Sequence, residues 1–432
     1  MQLDIGTFPV TKVIFDSETR LEGEVLKIRK QELADLIQSD PRIAGLDVDI
    51  VEPGESARVI HVCDAIEPRL KVAGEGACYP GILAGVTTVG RGVTHRLHGV
   101  SVVLSAEYPR LLETGTGAAH EAILEMAGPG ALSPLAKLNN VVAAVKFAPG
   151  HSLADYHQAV RLAGFKIAEL LAETTRNKTP AELKRYQVTP VNGTLPKVVY
   201  IHQSLSQLNL PVPFITWYGN YVTDWMPLLV HPNEILDGAL LPGALGGHAC
   251  KPTSWDHVNN PLIECLYQAH GKEIDFAGVI FHRTRFEVFE DKQLSANQAA
   301  KLAQLIRADG AIISWIGAGN AFIEAMLTVQ ALEKEGVRAV LMTYEHGGKE
   351  GREAPLMYTV PEADAIVSVG SLDRPIVLPQ VARAIGGDDL NIRPEAGDER
   401  VPATGELTLD WYLPILGGVD HWGFGKQICV EY

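Results

Sequence analysis

The sequence predicts an α/β protein in which an N-terminal, mostly antiparallel β domain precedes a mainly parallel α/β sandwich. Short apolar runs with a period of two, separated by glycine and proline, fill the N-terminal quarter, and strand-like runs alternate with helical patterns further on. The 432 residues also exceed the roughly 250 to 300 at which a single core stops growing. We therefore predict a barrel-like β domain at residues 1–112, a linker with the first α/β strand at 113–150, and an α/β region at 151–432.

The period-two pattern defines the predicted strands of the N-terminal domain. They cover residues 10–15, 45–51, 57–62, 86–89 and 100–104. One predicted helix, at residues 30–38, interrupts them. His95 and His98 lie three residues apart, so their side chains would point to opposite faces of a strand, and we interpret them as structural or surface residues.

Strands and helices alternate in the second part of the chain. A buried strand at residues 141–147 leads to a helix in which Ser152 and Asp155 have the spacing of a capping box. Further predicted strands cover residues 197–202, 276–281, 311–315, 339–343 and 365–369. Further predicted helices cover residues 262–270, 296–308 with Ser295 as the opening residue, 321–335 and 378–385. Such alternation predicts a parallel sheet that binds ligands beyond the carboxyl ends of its strands, so we expect the site at the loops 314–320, 344–350 and 370–374.

Composition limits the function classes. The net charge of −15, without clustered lysine or arginine, argues against nucleic-acid binding. No basic segment followed by an apolar core opens the chain, and no apolar run approaches a membrane span, so we expect a cytoplasmic protein. The five cysteines are odd in number and widely spread, as in a reducing compartment.

Two loops after predicted strands carry candidate site residues. Gly317, Gly319 and Asn320 lie between a strand and a helix, where free backbone N–H groups would hold an anionic group of a substrate, although a plain tight turn explains the same pattern. The third glycine of a dinucleotide fingerprint is missing. Glu345 and His346 follow the next strand and are candidates for acid and base catalysis.

The segment at residues 240–261 is the richest in reactive side chains. His248, Cys250 and His257 offer ligands for a metal, although a lone His-x-Cys is commonly accidental, and Cys250 alone is equally a reactive thiol or a small turn residue. A cysteine in a strained, glycine-rich loop can also attack the preceding peptide carbonyl and leave an N-terminal pyruvoyl group, a carbonyl electrophile toward amines. We treat Asn259 and Asn260, which follow, as candidate substrate-binding residues.

A series of short motifs resembles one family in collinear order. The sequence is similar to the component B proprotein of glycine, sarcosine and betaine reductases, the precursor of its alpha and beta subunits, and to its D-proline reductase relative. The matching motifs are Pro53-Gly-Glu-Ser56, Glu67-Pro-Arg69, Thr88-Val-Gly90, Thr94-His95, Asp237-Gly-Ala239, Asn259-Asn-Pro261, His270-Gly-Lys272, Asp309-Gly-Ala-Ile-Ile-Ser314 with Gly319-Asn320, and Glu333-Lys-Glu-Gly336. They extend from about residue 50 to about residue 350, which is most of the chain.

The resemblance implies an oxidoreductase that cleaves a C–N bond reductively within a multi-subunit complex. It implies a pyruvoyl group that holds the amine of an amino acid or N-methylated amine, and a partner subunit whose selenocysteine or cysteine attacks the alpha carbon. In the family an Asn-Cys pair follows the Asp-Gly-Ala motif and supplies the pyruvoyl residue. Here only Cys250 follows Asp237-Gly-Ala239, and its neighbours fit the second family cysteine better. The alternative is therefore an unprocessed homologue that binds a metal or acts as a scaffold.

Overall fold

The computed structural model describes residues 1–108, 122–191, 193–207, 214–243, 252–285, 288–317, 319–393, 399–425 and 428–430. His248 and Cys250 lie outside the described residues, so their predicted roles remain predictions. In the first part of the described chain the elements are β1 (Gln2–Pro9), β2 (Lys12–Phe15), β3 (Arg20–Glu22), β4 (Val25–Ile28), α1 (Lys30–Ile37), β5 (Ile43–Val51), β6 (Ala57–Val59), β7 (Val62–Ile66), β8 (Arg69–Ala73), β9 (Gly92–His98), β10 (Val100–Ser105), β11 (Leu124–Glu125), β12 (Asn139–Phe147), α2 (Leu153–Glu173) and β13 (Glu182–Gln187).

The second part continues with strands and helices that largely follow the predicted alternation. Its elements are β14 (Lys197–Gln207), β15 (Ile215–Trp217), β16 (Asn220–Tyr221), β17 (Leu228–Val230), α3 (Pro232–Leu236), β18 (Leu240–Pro242), α4 (Ser254–Val258), α5 (Pro261–Ala269), β19 (Asp275–Arg285), α6 (Phe289–Leu305), β20 (Gly310–Ile316), α7 (Ala321–Lys334), β21 (Arg338–Glu345), β22 (Ile366–Ser371), β23 (Ile376–Leu378), β24 (Arg383–Ile385), β25 (Asn391–Ile392), β26 (Val401–Pro402), β27 (Leu407–Leu409) and β28 (Ile428–Val430). The predicted α/β fold class is confirmed.

The N-terminal strands form small mixed sheets beneath helix α2. One sheet has the order β13-β1-β9-β8 and another the order β5-β12-β10-β7. The predicted capping box opens α2, since the Ser152 side chain accepts from the Asp155 N–H and Asp155 accepts from the Ser152 backbone. Gly164 lets α2 approach the sheet closely, because a Cβ at this position would lie 2.4 Å from Leu104 Cδ1.

A parallel sheet organises the second part. Its described strands have the order β17-β19-β14-β20-β21-β22-β28, and the five central strands pair in parallel. The chain passes from β14 to β19 on one side and then to β20 on the other, which creates a reversal point between β14 and β20. In open α/β sheets, ligands bind in the crevice at the carboxyl edge near such a point.

The core of the N-terminal part also anchors the segment that contains Cys250. Strands β10 and β12 and helix α2 share one buried cluster, and this cluster includes Leu241 and Val258. These two residues flank the undescribed stretch 244–251 on its two sides. The candidate segment is therefore fixed at both of its described ends by apolar packing.

Three local predictions are wrong. Residues 86–89 form no strand, because the Val89 N–H is bonded to the Tyr218 hydroxyl at 3.2 Å rather than to a strand. Residues 378–385 form no helix, because the end of β23 and strand β24 lie there, and β24 pairs in parallel with the distant β6. Helix α6 begins at Phe289 and not at Ser295. The Ser295 hydroxyl lies 2.7 Å from His282 Nε2 inside the protein and is not available to cap the helix.

None of the described helices is both long enough and apolar enough to cross a bilayer.

Candidate functional site

A cavity of about 390 Å³ lies at the carboxyl ends of β21 and β22. Its walls come from separate parts of the chain: residues 369–372 at the end of β22, Pro252 and Asp256 at α4, residues 132–134, and residues 416–422, 424 and 425. Tyr344, Arg374 and Tyr412 complete the lining. Its volume falls within the range of ligand pockets. The cavity lies at the carboxyl edge of the parallel sheet, beside β21 and β22 rather than at the reversal point between β14 and β20.

Charged groups of the cavity differ in how far their hydrogen-bonding capacity is used. The Asp420 carboxylate accepts backbone N–H bonds from Trp422, Gly423 and Gly425 at 3.0, 2.7 and 2.6 Å, so it shapes the C-terminal segment. Arg374 is exposed and forms no ion pair or hydrogen bond within the described chain. It is also the only lysine or arginine among the described residues that line the cavity.

Two buried aspartates hold the residues that follow the undescribed stretch 244–251. Asp64 accepts from the Ser254 N–H at 2.8 Å and from the Ser254 hydroxyl at 2.6 Å. Asp256 Oδ2 accepts from the Thr253 N–H at 2.7 Å and from its hydroxyl at 2.8 Å. Burial raises the pKa of each carboxyl to about 6. Asp64 also lines a small void with Gly243, so one aspartate lies near each described end of this stretch.

A chain of hydrogen bonds runs from the cavity wall into the sheet. The Trp422 indole N–H donates to Ser314 Oγ at 3.1 Å, and the Tyr200 hydroxyl lies 2.6 Å from Ser314 Oγ and 2.9 Å from His202 Nδ1. If the Ser314 hydroxyl donates to the Tyr200 oxygen and the Tyr200 hydroxyl donates to His202 Nδ1, the ring proton of His202 is on Nε2. That nitrogen is buried without a hydrogen-bond partner. Burial lowers the pKa of His202 well below its ordinary value, so the ring is neutral near pH 7.

His257, predicted from sequence as a catalytic residue, belongs to the same buried group. Its Nδ1 lies 2.9 Å from the Thr253 carbonyl oxygen, so Nδ1 carries the proton and Nε2 is an unprotonated acceptor. Nε2 is buried without a partner, and the ring packs edge-on against Trp422 with centroids 5.1 Å apart. Burial lowers the pKa of His257 to about 4. Among the described residues, no three histidine, cysteine, aspartate or glutamate side chains are grouped to hold a metal ion.

Glu345 and His346, the other predicted catalytic pair, make separate contacts in the structure. His346 Nδ1 lies 3.2 Å from Asp373 Oδ2, and Asp373 also accepts the N–H groups of Gly347 and Gly348. The Glu345 side chain takes no part in this group, and its carbonyl oxygen accepts from the Leu372 N–H. The described cavity lining includes neither Glu345 nor His346, although both lie at the same edge of the sheet.

The predicted substrate-binding residues mainly make structural contacts. Asn259 Oδ1 accepts from Arg69 and Arg96 at 3.3 Å each, and Asn260 Oδ1 accepts from two N–H groups at the start of α5. The Gly317 carbonyl oxygen accepts from the Tyr344 hydroxyl at 3.0 Å.

Gly319 has φ of 54°, and Asn320 caps α7 without a side-chain bond. Neither Asn259, Asn260 nor any of these turn residues is among the described residues that line the cavity.

Several motif residues meet in one buried polar network. Arg69 binds Glu67 and donates to the Leu236 carbonyl oxygen and, at 3.2 Å, to the Val258 carbonyl oxygen. Asp237 accepts from Lys71, from the Thr94 hydroxyl at 2.7 Å and from the Gly90 N–H at 2.9 Å. The motifs at 67–69, 88–90, 94–95, 237–239 and 259–261 therefore join the N-terminal strands to the segment 237–258.

Sequence reasoning missed most of the cavity residues. Arg374, Asp420 and Trp422 belong to no motif, and Asp64 lies 190 residues from its partner Ser254. The one usable signal was the expectation that the loops at 314–320, 344–350 and 370–374 lie at the carboxyl ends of parallel strands and carry the site. Tyr344 and Arg374 from the last two ranges line the cavity, whereas no described residue of 314–320 does.

The fold and the cavity define a class: an α/β protein with a ligand-sized cavity at the carboxyl edge of a parallel sheet. Within that class, the chain belongs to the family described as glycine/sarcosine/betaine reductase component B subunits, whose sequence model matches residues 1–427. The family predicted from the sequence motifs is confirmed.

Curated relatives agree with this assignment. The chain is 35% identical to "Glycine reductase complex component B subunits alpha and beta" of Acetoanaerobium sticklandii, over 100% of both chains. It is 34% identical to "Sarcosine reductase complex component B subunit alpha" of Peptoclostridium acidaminophilum, over 89% of each chain. The D-proline reductase proprotein of A. sticklandii is 24% identical over 78% of this chain and 54% of that protein. No solved structure gave a significant match.

Proposed function

We propose that this chain is the substrate-binding subunit of a reductase complex that cleaves the C–N bond of an amino acid or N-methylated amine. One observation carries the proposal: a chain that matches component B of a glycine reductase complex over its whole length has a ligand-sized cavity bounded by Pro252 and Asp256. Pro252 follows Cys250 by two residues. The family resemblance and the cavity thus point to the same stretch of chain.

The proposed reaction uses a second subunit as the nucleophile. A thiolate or selenolate of the partner forms a bond to the alpha carbon, and the electron pair of the C–N bond leaves with the nitrogen, which takes up a proton. Reduction of the resulting carbon–sulfur or carbon–selenium species requires two further electrons from a dithiol. A pyruvoyl group at Cys250 would supply a carbonyl electrophile toward the amine.

Two observations support internal cleavage before Cys250. The glycine reductase relative is named for two subunits, alpha and beta, of component B, and this chain covers that protein completely. In this chain both described flanks of the stretch 244–251 are held in place: the Gly243 N–H donates to the Phe214 carbonyl oxygen at 2.7 Å, and Ser254 is bound to Asp64. Fixed flanks would let the intervening loop retain the strain that self-cleavage needs.

Intact mass and denaturing electrophoresis test processing directly. We expect two fragments that separate before Cys250, with the C-terminal fragment blocked to Edman chemistry, and one uncleaved chain for Cys250→Ala. Cys265→Ala is the matched control, because Cys265 is an exposed free cysteine and its replacement should leave cleavage unchanged. A single wild-type chain of full mass would exclude the pyruvoyl group.

Reconstitution then tests the function itself. The wild-type chain, mixed with a thiol- or selenocysteine-bearing partner and dithiothreitol, should release ammonia or a methylated amine from glycine, sarcosine, betaine or D-proline. If no amine is released and elemental analysis finds a stoichiometric metal that Cys250→Ser removes, the unprocessed, metal-binding alternative replaces this proposal. If neither is found, the chain is a scaffold.

A further inference from the structure

Among the described residues that line the cavity, one positively charged side chain has no ion-pair or hydrogen-bond partner. Arg374 follows β22 at the carboxyl edge of the sheet, and its guanidinium group forms no ion pair or hydrogen bond within the described chain. A guanidinium group presents N–H donors in a planar fork that matches a carboxylate in two-point contact. Arg374 is exposed at the cavity wall, so its guanidinium group is open to contact with an anionic group of a ligand.

The described cavity lining contains two carboxylates, Asp256 and Asp420, and only one of them has much hydrogen-bonding capacity left for a ligand. Asp420 is occupied by three backbone N–H donors, so it offers little to a ligand. Asp256 uses Oδ2 for Thr253, whereas Oδ1 accepts no hydrogen bond from the described residues. Asp256 is 9% exposed and is among the residues that line the cavity. One half-used carboxylate and one unpaired guanidinium group are therefore both among the described residues that line the cavity.

Aromatic side chains form another part of the cavity wall. Tyr412 and Phe424 line the cavity and are both half-buried, and Trp422 lies beneath Phe424 with ring centroids 6.4 Å apart. Aromatic faces attract cations that carry methyl groups, as in the cages that bind quaternary ammonium. These walls therefore suit a methylated ammonium group better than a bare one.

We propose that Arg374 receives the carboxylate of an N-methylated amino acid whose ammonium group lies against Asp256 and the rings of Tyr412 and Phe424. This assignment rests on the proposed function and narrows it, because it selects zwitterions and excludes amines without a carboxylate. It also assigns a specificity role to a residue that no sequence motif marks.

The size of the cavity is consistent with this choice. The cavity of about 390 Å³ has room for an N-methylated amino acid. Added N-methyl groups remove more apolar surface from water than glycine does, because they contact the aromatic wall. We therefore expect betaine and sarcosine to bind more tightly than glycine.

Calorimetric titration of the purified chain tests the assignment with defined probes. Betaine, sarcosine and glycine carry both charges, trimethylamine carries only the cation, and acetate only the anion. We expect Arg374→Met to weaken betaine binding about 10- to 100-fold, the usual worth of hydrogen bonds to a charged group. Arg374→Lys keeps the charge but not the fork, so an intermediate loss is expected.

The control is Arg352→Met. Arg352 is exposed on the neighbouring loop and pairs with Glu350 at the surface, so its removal changes net charge equally without touching the cavity. It should bind betaine as the wild type does. Urea denaturation of each variant confirms that the fold is retained.

Several results would overturn the assignment. They are equal betaine affinity in Arg374→Met and wild type, trimethylamine binding as tight as that of betaine, and no binding of any of the three amino acids to the wild type. The proposed function fails separately: a wild-type chain that binds betaine through Arg374 but releases no amine with any thiol-bearing partner would retain this inference and lose the reductase assignment. A complex that turns over normally with Arg374→Met would do the reverse.

Discussion

Replacing Asp256 by asparagine should change how the stability of the protein depends on pH. Burial raises the pKa of Asp256 from its ordinary value of 3.8 to about 6 in the folded protein, and the charge of Asp64 adds to the effect. The folded state therefore binds this proton more tightly than the unfolded chain does. By linkage, stability is highest below the unfolded pKa and falls as pH rises between the two values.

The magnitude follows from the two pKa values. One pKa unit corresponds to about 1.4 kcal/mol, so the ionised side chain costs the folded state about 3 kcal/mol at pH 7.5 and about 1 kcal/mol at pH 4.5. Asparagine keeps an oxygen for the Thr253 N–H but carries no charge. The free energy of unfolding of Asp256→Asn minus that of the wild type should therefore be about 2 kcal/mol larger at pH 7.5 than at pH 4.5.

Urea denaturation, followed by tryptophan fluorescence at several pH values, measures this difference. Asp155→Asn is the matched control, since Asp155 occupies the same third position of a capping box but is only partly buried, and the hydrogen bond that it accepts from Ser152 lowers its pKa. That variant should lose stability relative to the wild type as pH rises. Parallel pH profiles for Asp256→Asn and the wild type would refute the reasoning.

Two further substitutions test the packing that supports the site. Gly164→Val should destabilise the fold by about 1–3 kcal/mol or more, since its Cβ would lie 2.4 Å from Leu104 Cδ1, and unchanged urea midpoints would contradict the close approach of α2. Arg58→Met should cost about 3–5 kcal/mol, because it leaves Glu125 buried without its partner; a loss under 1 kcal/mol in the same assay would show that Glu125 is neutral when buried.

Elements specified by local patterns were predicted well. The capping box at Ser152 and the parallel strands β14, β19, β20, β21 and β22 depend on residues a few positions apart, so periodicity and cap spacing identified them. The errors arose where distant partners decided the structure. Strand β24 forms because β6 lies beside it, although its sequence pattern favoured a helix.

The candidate site also combines features that local sequence patterns determined with features that depend on distant partners. The sequence alone determined the alternation of strands and helices, the family, and the expectation of ligands near residues 314–320, 344–350 and 370–374. Only the tertiary structure brought Arg374, Asp256 and the segment 416–425 to one cavity, and only it joined Asp64 to Ser254 across 190 residues. The physical reason is that a cavity is defined by side chains from several elements, and which of them meet depends on long-range packing that no local periodicity encodes.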